Sequence, residues 1–494
     1  MIDRVLLASL LLSGCMVGPD YRRPEVPLPG QWRGTGSGAP AAVTPTDLAT
    51  WWRAFGDPIL DELVAAALHQ NLDLKTAVAR VRQARAERAI SAAGLYPSLA
   101  ANAEYQHARP FSQNSQFGSL VEPGSPSAAS LPSNFLTEDL YQGEFDASWE
   151  LDVFGGIHRG IEAADADVAA TEDNALATQV TLLAEVARTY VDIRSLERRL
   201  VIVAENLDSQ RNSVALTEDR FRTGLVSELD VRQARSLLAT TLAEVPSLER
   251  AREQSVHALS VLLGGEPNAL QATLARGAPI PGGSDPDALA VRIPAGLPAD
   301  LLRRRPDIRR AERQVAAATA RIGVATAELF PKFSLTGLVG LQSISAGDFF
   351  SGGSRYFSAG PTISWRLFEG GRLRANIDVQ DAVTEQALYA YEQTVLTGLR
   401  DVEDALVAYG KERTRHDALA DAVEQDGRSV ALSRDLYVHG LGTYLAVLIA
   451  ERSQYTSQDS LVQSDQALVV DLIATYKALG GGWQPLAEEV AAAN

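Results

Sequence analysis

The sequence predicts a mixed membrane fold in which short β-strands alternate with very long helices, and in which one structural plan occurs twice. Three observations predict it. Landmark residues recur with an offset of 216 positions, a stretch of thirteen residues alternates strictly between apolar and polar side chains, and two helical stretches run for 66 and 67 residues. Such a combination favours a membrane protein that keeps most of its chain outside the lipid.

The internal repeat is visible in the order of the landmarks. Trp149 and Trp365 are 216 residues apart, and so are Gly224 and Gly440. Other landmarks keep the same order, namely Leu95-Tyr96-Pro97 with Leu329-Phe330-Pro331 and Phe154-Gly155-Gly156 with Phe368-Glu369-Gly370-Gly371. A shared order at a near-constant offset indicates a duplicated unit.

Four strands in two hairpins, over about 98–154 and 333–368, are expected from period-2 alternation. Their length fits the ~9–11 residues of a membrane strand. Ala147 and Trp149 share the apolar face, which we assign to lipid, and Ser148 lies on the polar face. A soluble antiparallel sheet with one wet face remains an alternative, because it gives the same alternation.

The long helices are expected over 157–222 and 372–438. At 1.5 Å per residue, each would be ~100 Å long. Apolar residues of the first helix recur in steps of three and four, which is typical of a coiled-coil seam. They are Leu176, Val180, Leu183, Ala187, Tyr190, Ile193, Leu196, Leu200, Val203 and Leu207.

Each long helix is expected to end at a glycine, Gly224 or Gly440, and the next helix to begin at the cap residue Ser227 or Thr443. Further helices are expected over 58–94, 228–263, 298–329 and 444–479. The resulting segments are a signal peptide over 1–14, an extension over 15–57, repeats over 58–263 and 298–479, a linker over 264–297 and a tail over 480–494.

Cys15 is the only cysteine of the chain. A basic residue, a short apolar run and small residues precede it, as in a secretory signal peptide. Leu12-Ser13-Gly14-Cys15 also resembles the bacterial lipobox, so we expect Cys15 to become a lipidated N-terminus. An ordinary signal peptide with a chance cysteine is the alternative.

Composition and motifs argue against several function classes. A net charge of −17 makes the chain a poor nucleic-acid binder, because phosphate contacts need clusters of Lys and Arg. The histidines lack metal-site spacing, and the sequence has neither a nucleophile elbow nor a Walker lysine. We therefore expect no catalysis, no cofactor and no metal, although an enzyme with an unrecognised constellation remains an alternative.

Membrane physics constrains the assembly. No apolar run reaches the ~18 residues of a membrane helix, so spanning has to use strands. Four strands are too few to close a barrel, for which small single-chain examples use ~8. Two, three or four copies of a four-stranded chain would supply eight, twelve or sixteen strands. A barrel extended by packed long helices would be a conduit.

Several stretches carry a family resemblance. They are Cys15–Pro24, Trp51–Leu60, Asn71–Leu74, Gly296–Ile308 and Tyr476–Trp483. Together and in this order they resemble the outer membrane factors, the TolC-like channel-tunnels, and specifically their NodT-type lipoproteins. The resemblance implies a homotrimer with a twelve-stranded β-barrel and a periplasmic α-barrel, in the outer membrane of a Gram-negative-type cell. It also implies a passive exit duct that works with a periplasmic adaptor and an inner-membrane pump, usually proton-driven.

The resemblance also implies site residues. Gly224-Leu225 and Gly440-Leu441 match the periplasmic tips at which the adaptor docks. An acidic ring upstream of the second tip would close the channel, and the candidates are Asp421, Glu424 and Asp426, with Asp426 first by alignment. Solvated coiled-coil carboxylates are the alternative for these three. For the whole chain, a periplasmic adaptor or fibrous coiled-coil lipoprotein without a channel is the competing interpretation.

Overall fold

The structure is a computed structural model that describes residues 16–32, 48–108, 138–281 and 298–484. The chain divides into two compact units. We call the first the sheet unit, formed by 1–22, 85–166 and 316–385, and the second the helical unit, formed by 23–84, 167–315 and 386–494. The predicted Cys15 lipidation site lies outside the described residues.

The sheet unit contains one antiparallel sheet of four strands in the order β1-β2-β3-β4. The strands are β1 (Ser98–Ala108), β2 (Glu138–Leu151), β3 (Lys332–Ser343) and β4 (Arg355–Ser364). Each repeat contributes one hairpin, and β2 pairs with β3 to join the two hairpins. The prediction of four strands per chain is therefore confirmed.

The register places most apolar residues of the four strands on one face, with Leu338 as an exception. Leu99, Ala147, Gly337 and Ala359 lie opposite one another across the sheet, and the next row of this face is Ala101, Phe145, Val339 and Phe357. The adjacent row on the other face is Ser98, Ser148, Thr336 and Gly360. Phe145 and Val339, on the two central strands, are 55% and 58% exposed, so this face is an apolar surface that the single chain leaves uncovered.

Nine helices are described, and their bounds are as follows. They are α1 (Pro58–Gln70), α2 (Leu72–Ala93), α3 (Gly156–Arg222), α4 (Glu228–Leu262), α5 (Gln271–Leu274), α6 (Leu301–Arg304), α7 (Pro306–Ala327), α8 (Arg372–Val438) and α9 (Tyr444–Ala478). Short 3₁₀ turns cover Trp51–Phe55, Pro298–Asp300, Ala346–Asp348 and Gly352–Ser354. Among the described helices, none is long and apolar enough to cross a lipid bilayer.

The single helix expected over 58–94 is two helices, because Asn71 interrupts it. Asn71 accepts a hydrogen bond from the Leu74 amide at 2.8 Å and so caps the start of α2. Its side-chain amide donates to the Leu262 carbonyl at 2.8 Å, at the end of α4. The helix expected over 298–329 is also divided, since Arg305 is extended, as a residue before proline prefers.

The apolar seam predicted for the first long helix is buried. Leu183, Ala187, Tyr190 and Ile193 of α3 have no exposed surface. At about 25 cal/mol per Å² of apolar surface, each large side chain contributes about 1.5–3 kcal/mol when it is removed from water. Burial of this stripe is therefore what stabilises so long a helix.

A second, polar seam joins α3 to α9 of the other repeat, and it is not among the sequence-based predictions. Its α3 members recur every seven residues. The pairs are Arg199 with Asp459 at 2.6 Å, Asn206 with Gln458 at 2.9 Å and Ser213 with Glu451 at 2.5 Å. Buried and half-buried polar pairs at this spacing fix the register of two antiparallel helices, because a slip would leave them unpaired.

Candidate functional site

The first candidate tip is the turn between α3 and α4. Gly224 has φ +77°, and the Leu225 amide donates to the Arg220 carbonyl at 2.9 Å. This hydrogen bond closes a loop of six residues and is the Schellman motif that ends many helices. The motif needs a residue in the left-handed conformation. Ser227 precedes α4 in an extended conformation, as expected for a cap, but its side chain makes no capping hydrogen bond.

The second candidate tip, between α8 and α9, has the same geometry. Gly440 has φ +73°, and the Leu441 amide donates to the Leu436 carbonyl at 2.8 Å. Thr443 stands at the cap position before α9, again without a side-chain capping bond. The two repeats therefore end their long helices with the same left-handed glycine turn.

Arg220 joins the two tips. Its guanidinium donates to the carbonyls of Tyr437 at 2.7 Å and Val438 at 3.0 Å, which are the last two residues of α8. It also lies over the Tyr437 ring, 4.7 Å from the centroid. A cation is favourable at a helix C-terminus, where carbonyls lack partners and the macrodipole is negative.

A small apolar core supports this arrangement. Tyr437 and Tyr444 meet edge to face at 5.5 Å, and Ala234 and Val447 complete the buried cluster. Burial raises the pKa of both tyrosines above the ordinary value. The phenols stay neutral at physiological pH, so the charge that Arg220 meets comes from carbonyl dipoles.

Each tip presents an exposed leucine. Leu225 is 68% exposed and Leu441 is 78% exposed. Leu229 and Leu445, at the start of the following helices, are also exposed. Single surface leucines are ordinary, whereas these four all lie at or beside the ends of the two helical hairpins that Arg220 joins.

The three gate candidates lie on α8 in different surroundings. Asp421 and Glu424 are exposed and pair within their own helix, with Gln425 at 3.2 Å and with Arg428 respectively. Asp426 is half-buried and accepts a hydrogen bond from Ser453 of α9 at 3.0 Å. The structure therefore separates Asp426 from the other two, as the helical angle between them requires.

The described residues hold no metal site, since nowhere among them do three His, Cys, Asp or Glu side chains converge. The geometry described so far consists of a sheet with one apolar face, long paired helices and a joined pair of tips. A family model for the outer membrane efflux protein matches residues 63–265 and 297–481.

The chain belongs to the outer membrane efflux protein family. Nodulation protein T of Rhizobium leguminosarum bv. trifolii is 33% identical over 480 residues, which cover 97% of each chain. The toluene efflux pump outer membrane protein TtgI of Pseudomonas putida is 34% identical over 481 residues, again covering 97% of each chain. The solved outer-membrane channel OprN is similar with a TM-score of 0.84 and 35% identity, covering 95% of this chain and 100% of that chain.

Membership confirms the predicted fold class, location and general function. This outer membrane efflux protein lies in the outer membrane and provides the exit duct of an efflux system. The relatives described above are efflux, nodulation and channel proteins rather than enzymes. The residues that carry the resemblance therefore belong to a transport channel.

Three of those stretches meet in the helical unit of this outer membrane efflux protein. Trp51 stacks on Tyr476 with ring centroids 5.4 Å apart. Arg305, from the Arg-Pro-Asp stretch, donates to the Ala478 carbonyl at 3.1 Å and so caps the end of α9. Gln179 of α3 donates to the Gly482 carbonyl at 2.5 Å. The resemblance therefore rests on residues that build one packed junction.

Proposed function

We propose that three copies of this outer membrane efflux protein close a twelve-stranded barrel and act as one exit duct. The supporting observation is the open sheet. Among the described strands, β1 and β4 each pair on one side only. An unpaired backbone group in lipid costs several kcal/mol, so the edges of strands in a membrane need partners. Three copies is the number that the family resemblance implies.

Disulfide cross-linking between chains tests the number of copies. Cys15 is the only native cysteine, so engineered pairs stand out clearly. Ala101→Cys on β1 is combined in turn with Phe357→Cys, Ala359→Cys or Pro361→Cys on β4, and oxidised membranes are run on a denaturing gel. A covalent ladder that ends at the trimer supports the proposal. A ladder that ends at the dimer or tetramer, or no ladder in any pair, contradicts it.

A control uses neighbours within one chain. Ala101 pairs with Phe145 across β1 and β2, so Ala101→Cys with Phe145→Cys gives an internal bond and no ladder. Purified trimers in planar bilayers should also conduct ions, because a closed barrel leaves a polar interior. Protein that inserts without conductance would favour the non-channel lipoprotein.

The tips are the proposed contact with a periplasmic adaptor, which connects the duct to an inner-membrane pump, usually proton-driven. The exposed Leu225 and Leu441 support this contact. Energy and substrate choice belong to the pump. Relatives of equal identity, 34% in each case, are named for toluene efflux and for pyoverdine export, which supports a duct that does not select its cargo.

The N-terminus is proposed to carry lipid on Cys15. An acyl chain contributes about 0.8 kcal/mol per buried CH₂ to membrane binding, so the lipids hold the N-terminal segment to the bilayer. Mass spectrometry of the mature protein should find an N-terminal diacylglyceryl cysteine, with or without a further acyl group. An unmodified Cys15 would remove the lipoprotein assignment and leave the channel assignment intact.

A further inference from the structure

A buried arginine in the first turn of α3 holds the segment that follows Cys15. The Arg159 side chain is 2% exposed, and its guanidinium makes four hydrogen bonds to carbonyls and carboxylates. It donates to the carbonyls of Val17 at 3.1 Å and Gly18 at 3.4 Å. It also pairs with Asp20 at 2.7 Å and with Glu162 of its own helix at 2.7 Å.

Three glycines let residues 16–18 lie this close to Arg159 and α7. Gly18 has φ +88°, and a Cβ added there would lie 2.4 Å from the Gly323 Cα of α7. A Cβ on Gly323 would lie 2.7 Å from the Arg159 Cγ, and one on Gly155 would lie 2.9 Å from the Met16 Cα. A Cβ at Gly18 or Gly155 would clash with backbone and one at Gly323 with the Arg159 side chain, so all three positions need glycine for residues 16–18 to follow this path.

The segment is fastened at the end of a strand. The Val17 amide donates to the Phe154 carbonyl at 3.2 Å, three residues after β2 ends at Leu151. Phe154 in turn stacks on Phe330, with ring centroids 4.6 Å apart, two residues before β3 begins. A mature chain that starts at Cys15 therefore starts two residues before Val17, whose amide is held near the end of β2.

We propose that Arg159 is the positioning residue of the lipid anchor. Arg159, Gly155 and Gly323 surround residues 16–20, and we call this arrangement the clasp. The clasp delivers the N-terminus to the β2–β3 strand ends, so that acyl chains on Cys15 enter the lipid beside the Phe154–Phe330 stack. This inference rests on the proposed lipidation of Cys15, whereas the clasp itself does not.

The first test measures whether Arg159 holds the segment. Hydrogen–deuterium exchange of purified full-length trimers should show protected amides in the peptide that begins at residue 16 and ends before Arg23. Arg159→Met removes four charge-assisted or carbonyl bonds and should speed exchange of this peptide by about tenfold or more. Gly18→Ala keeps the arginine but clashes with α7, and it should have the same effect.

Arg88→Met is the matched control. Arg88 pairs with Asp165 of α3 at 2.8 Å, and none of its described hydrogen bonds or ion pairs involves residues 16–20. Exchange of the N-terminal peptide should remain at the wild-type rate in this variant. Wild-type rates in both Arg159→Met and Gly18→Ala trimers would overturn the clasp, and the second variant keeps the test decisive if the first does not assemble.

The second test locates the acyl chains. Cells grown with a photoactivatable fatty acid incorporate it at Cys15, and illumination joins it to neighbouring peptides. Wild type and Arg88→Met should give adducts concentrated on the β2–β3 strand ends, around 150–154 and 330–333. In Arg159→Met these adducts should fall at least several-fold, while channel conductance stays unchanged. Adducts that do not change would overturn the positioning role.

Different results would contradict the proposed function and the clasp. Absence of any acyl group on Cys15 would remove the lipid assignment under the proposed function, and exchange at residues 16–22 would still test the clasp. Loss of trimers or of conductance in wild type would remove the channel assignment instead.

Discussion

Trp149 and Trp365 make the same hydrogen bond in the two repeats. The indole of Trp149 donates to the Leu95 carbonyl at 2.9 Å, and the indole of Trp365 donates to the Leu329 carbonyl at 3.0 Å. Each acceptor precedes an aromatic–proline pair that turns a helix into a strand. The duplication seen in the sequence is therefore a duplicated contact, in which an indole closes the turn between helix and strand.

Substitution by phenylalanine tests this equivalence. Trp149→Phe and Trp365→Phe keep an aromatic ring but leave the turn carbonyl without its donor. Each should lower the free energy of unfolding by about 1–2 kcal/mol, the usual effect of one lost hydrogen bond plus some packing. The temperature at which trimers dissociate on a gel should fall by a similar amount in both variants. A fall in only one variant would show that the two contacts are not equivalent.

Charges on the two faces of the sheet should have opposite consequences. Ala147→Arg places a charge on the apolar face, between Leu99 and Gly337, and should cost about 2–4 kcal/mol near the bilayer midplane. Ser148→Arg lies on the polar face and should be tolerated. Urea unfolding of trimers in detergent or lipid measures both. Equal tolerance of the two arginines would indicate a sheet that does not face lipid.

The sequence could predict most of the fold because the signals were long and periodic. Alternation over thirteen residues and helical stretches of more than sixty residues leave little freedom in the choice of element. The break at Asn71 was missed, because a helix-capping asparagine inside a helical pattern looks like an ordinary polar residue until its acceptor role is seen.

The contacts between repeats could not be predicted in the same way. Arg220 and Tyr437 are 217 residues apart, and Arg199 and Asp459 are 260 apart. Periodicity shows which face of a helix is buried but not which helix covers it. A heptad of polar residues on α3 was the one available hint, and the charged residues of a solvated face give the same pattern.

Substitution of the left-handed glycines of the tips by a β-branched residue should distort both turns. Gly224→Val and Gly440→Val force a β-branched residue to a positive φ, which costs about 1–3 kcal/mol and distorts the turn. A Cβ at Gly224 would meet no atom within 4 Å, so any defect there reflects the backbone rather than a clash. Adaptor binding in pull-downs and export in drug-susceptibility assays should fall, while trimers still form.

Asparagine is the control at both positions, because it accepts the left-handed conformation. Gly224→Asn and Gly440→Asn should retain adaptor binding and export. Unchanged export in both valine variants would count against docking at these turns.

Loss of Arg220 should destabilise the tips more than loss of its neighbour Arg222. Arg220→Met removes the cap of α8 and the stacking on Tyr437, and should destabilise the tips by about 2–3 kcal/mol. Arg222 is exposed and pairs only with Asp219 of its own helix among the contacts described. Arg222→Met is therefore the matched control. Adaptor binding and protease resistance of the tips should drop in the first variant alone, and equal effects would contradict the joining role.

The last prediction concerns the gate, for which the structure separates two sets of carboxylates. Asp426 faces Ser453 of α9, whereas Asp421 and Glu424 pair within α8. In a trimer, a carboxylate that faces the lumen occurs three times around the axis, and such a ring attracts cations and accepts bonds from neighbouring helices. A helix turns 100° per residue, so Asp421 and Asp426 are about 140° apart, and our hypothesis is that one set, not both, forms the ring.

Matched variants distinguish the carboxylate charge from its hydrogen bond. Asp426→Ala removes both, Asp426→Asn removes the charge and keeps an oxygen for Ser453, and Ser453→Ala removes the bond and keeps the charge. If Asp426 forms the ring, Asp426→Ala and Asp426→Asn should reduce cation selectivity, and the alanine variant should shift the closed-to-open ratio by about tenfold. Single-channel conductance and vancomycin uptake measure these changes. The double variant Asp421→Ala with Glu424→Ala should then match wild type, because removing carboxylates that pair within their own helix leaves the ring unchanged. If instead the double variant opens the pore, the exposed pair is the gate, and if no variant changes either measurement, this segment of α8 does not close the channel.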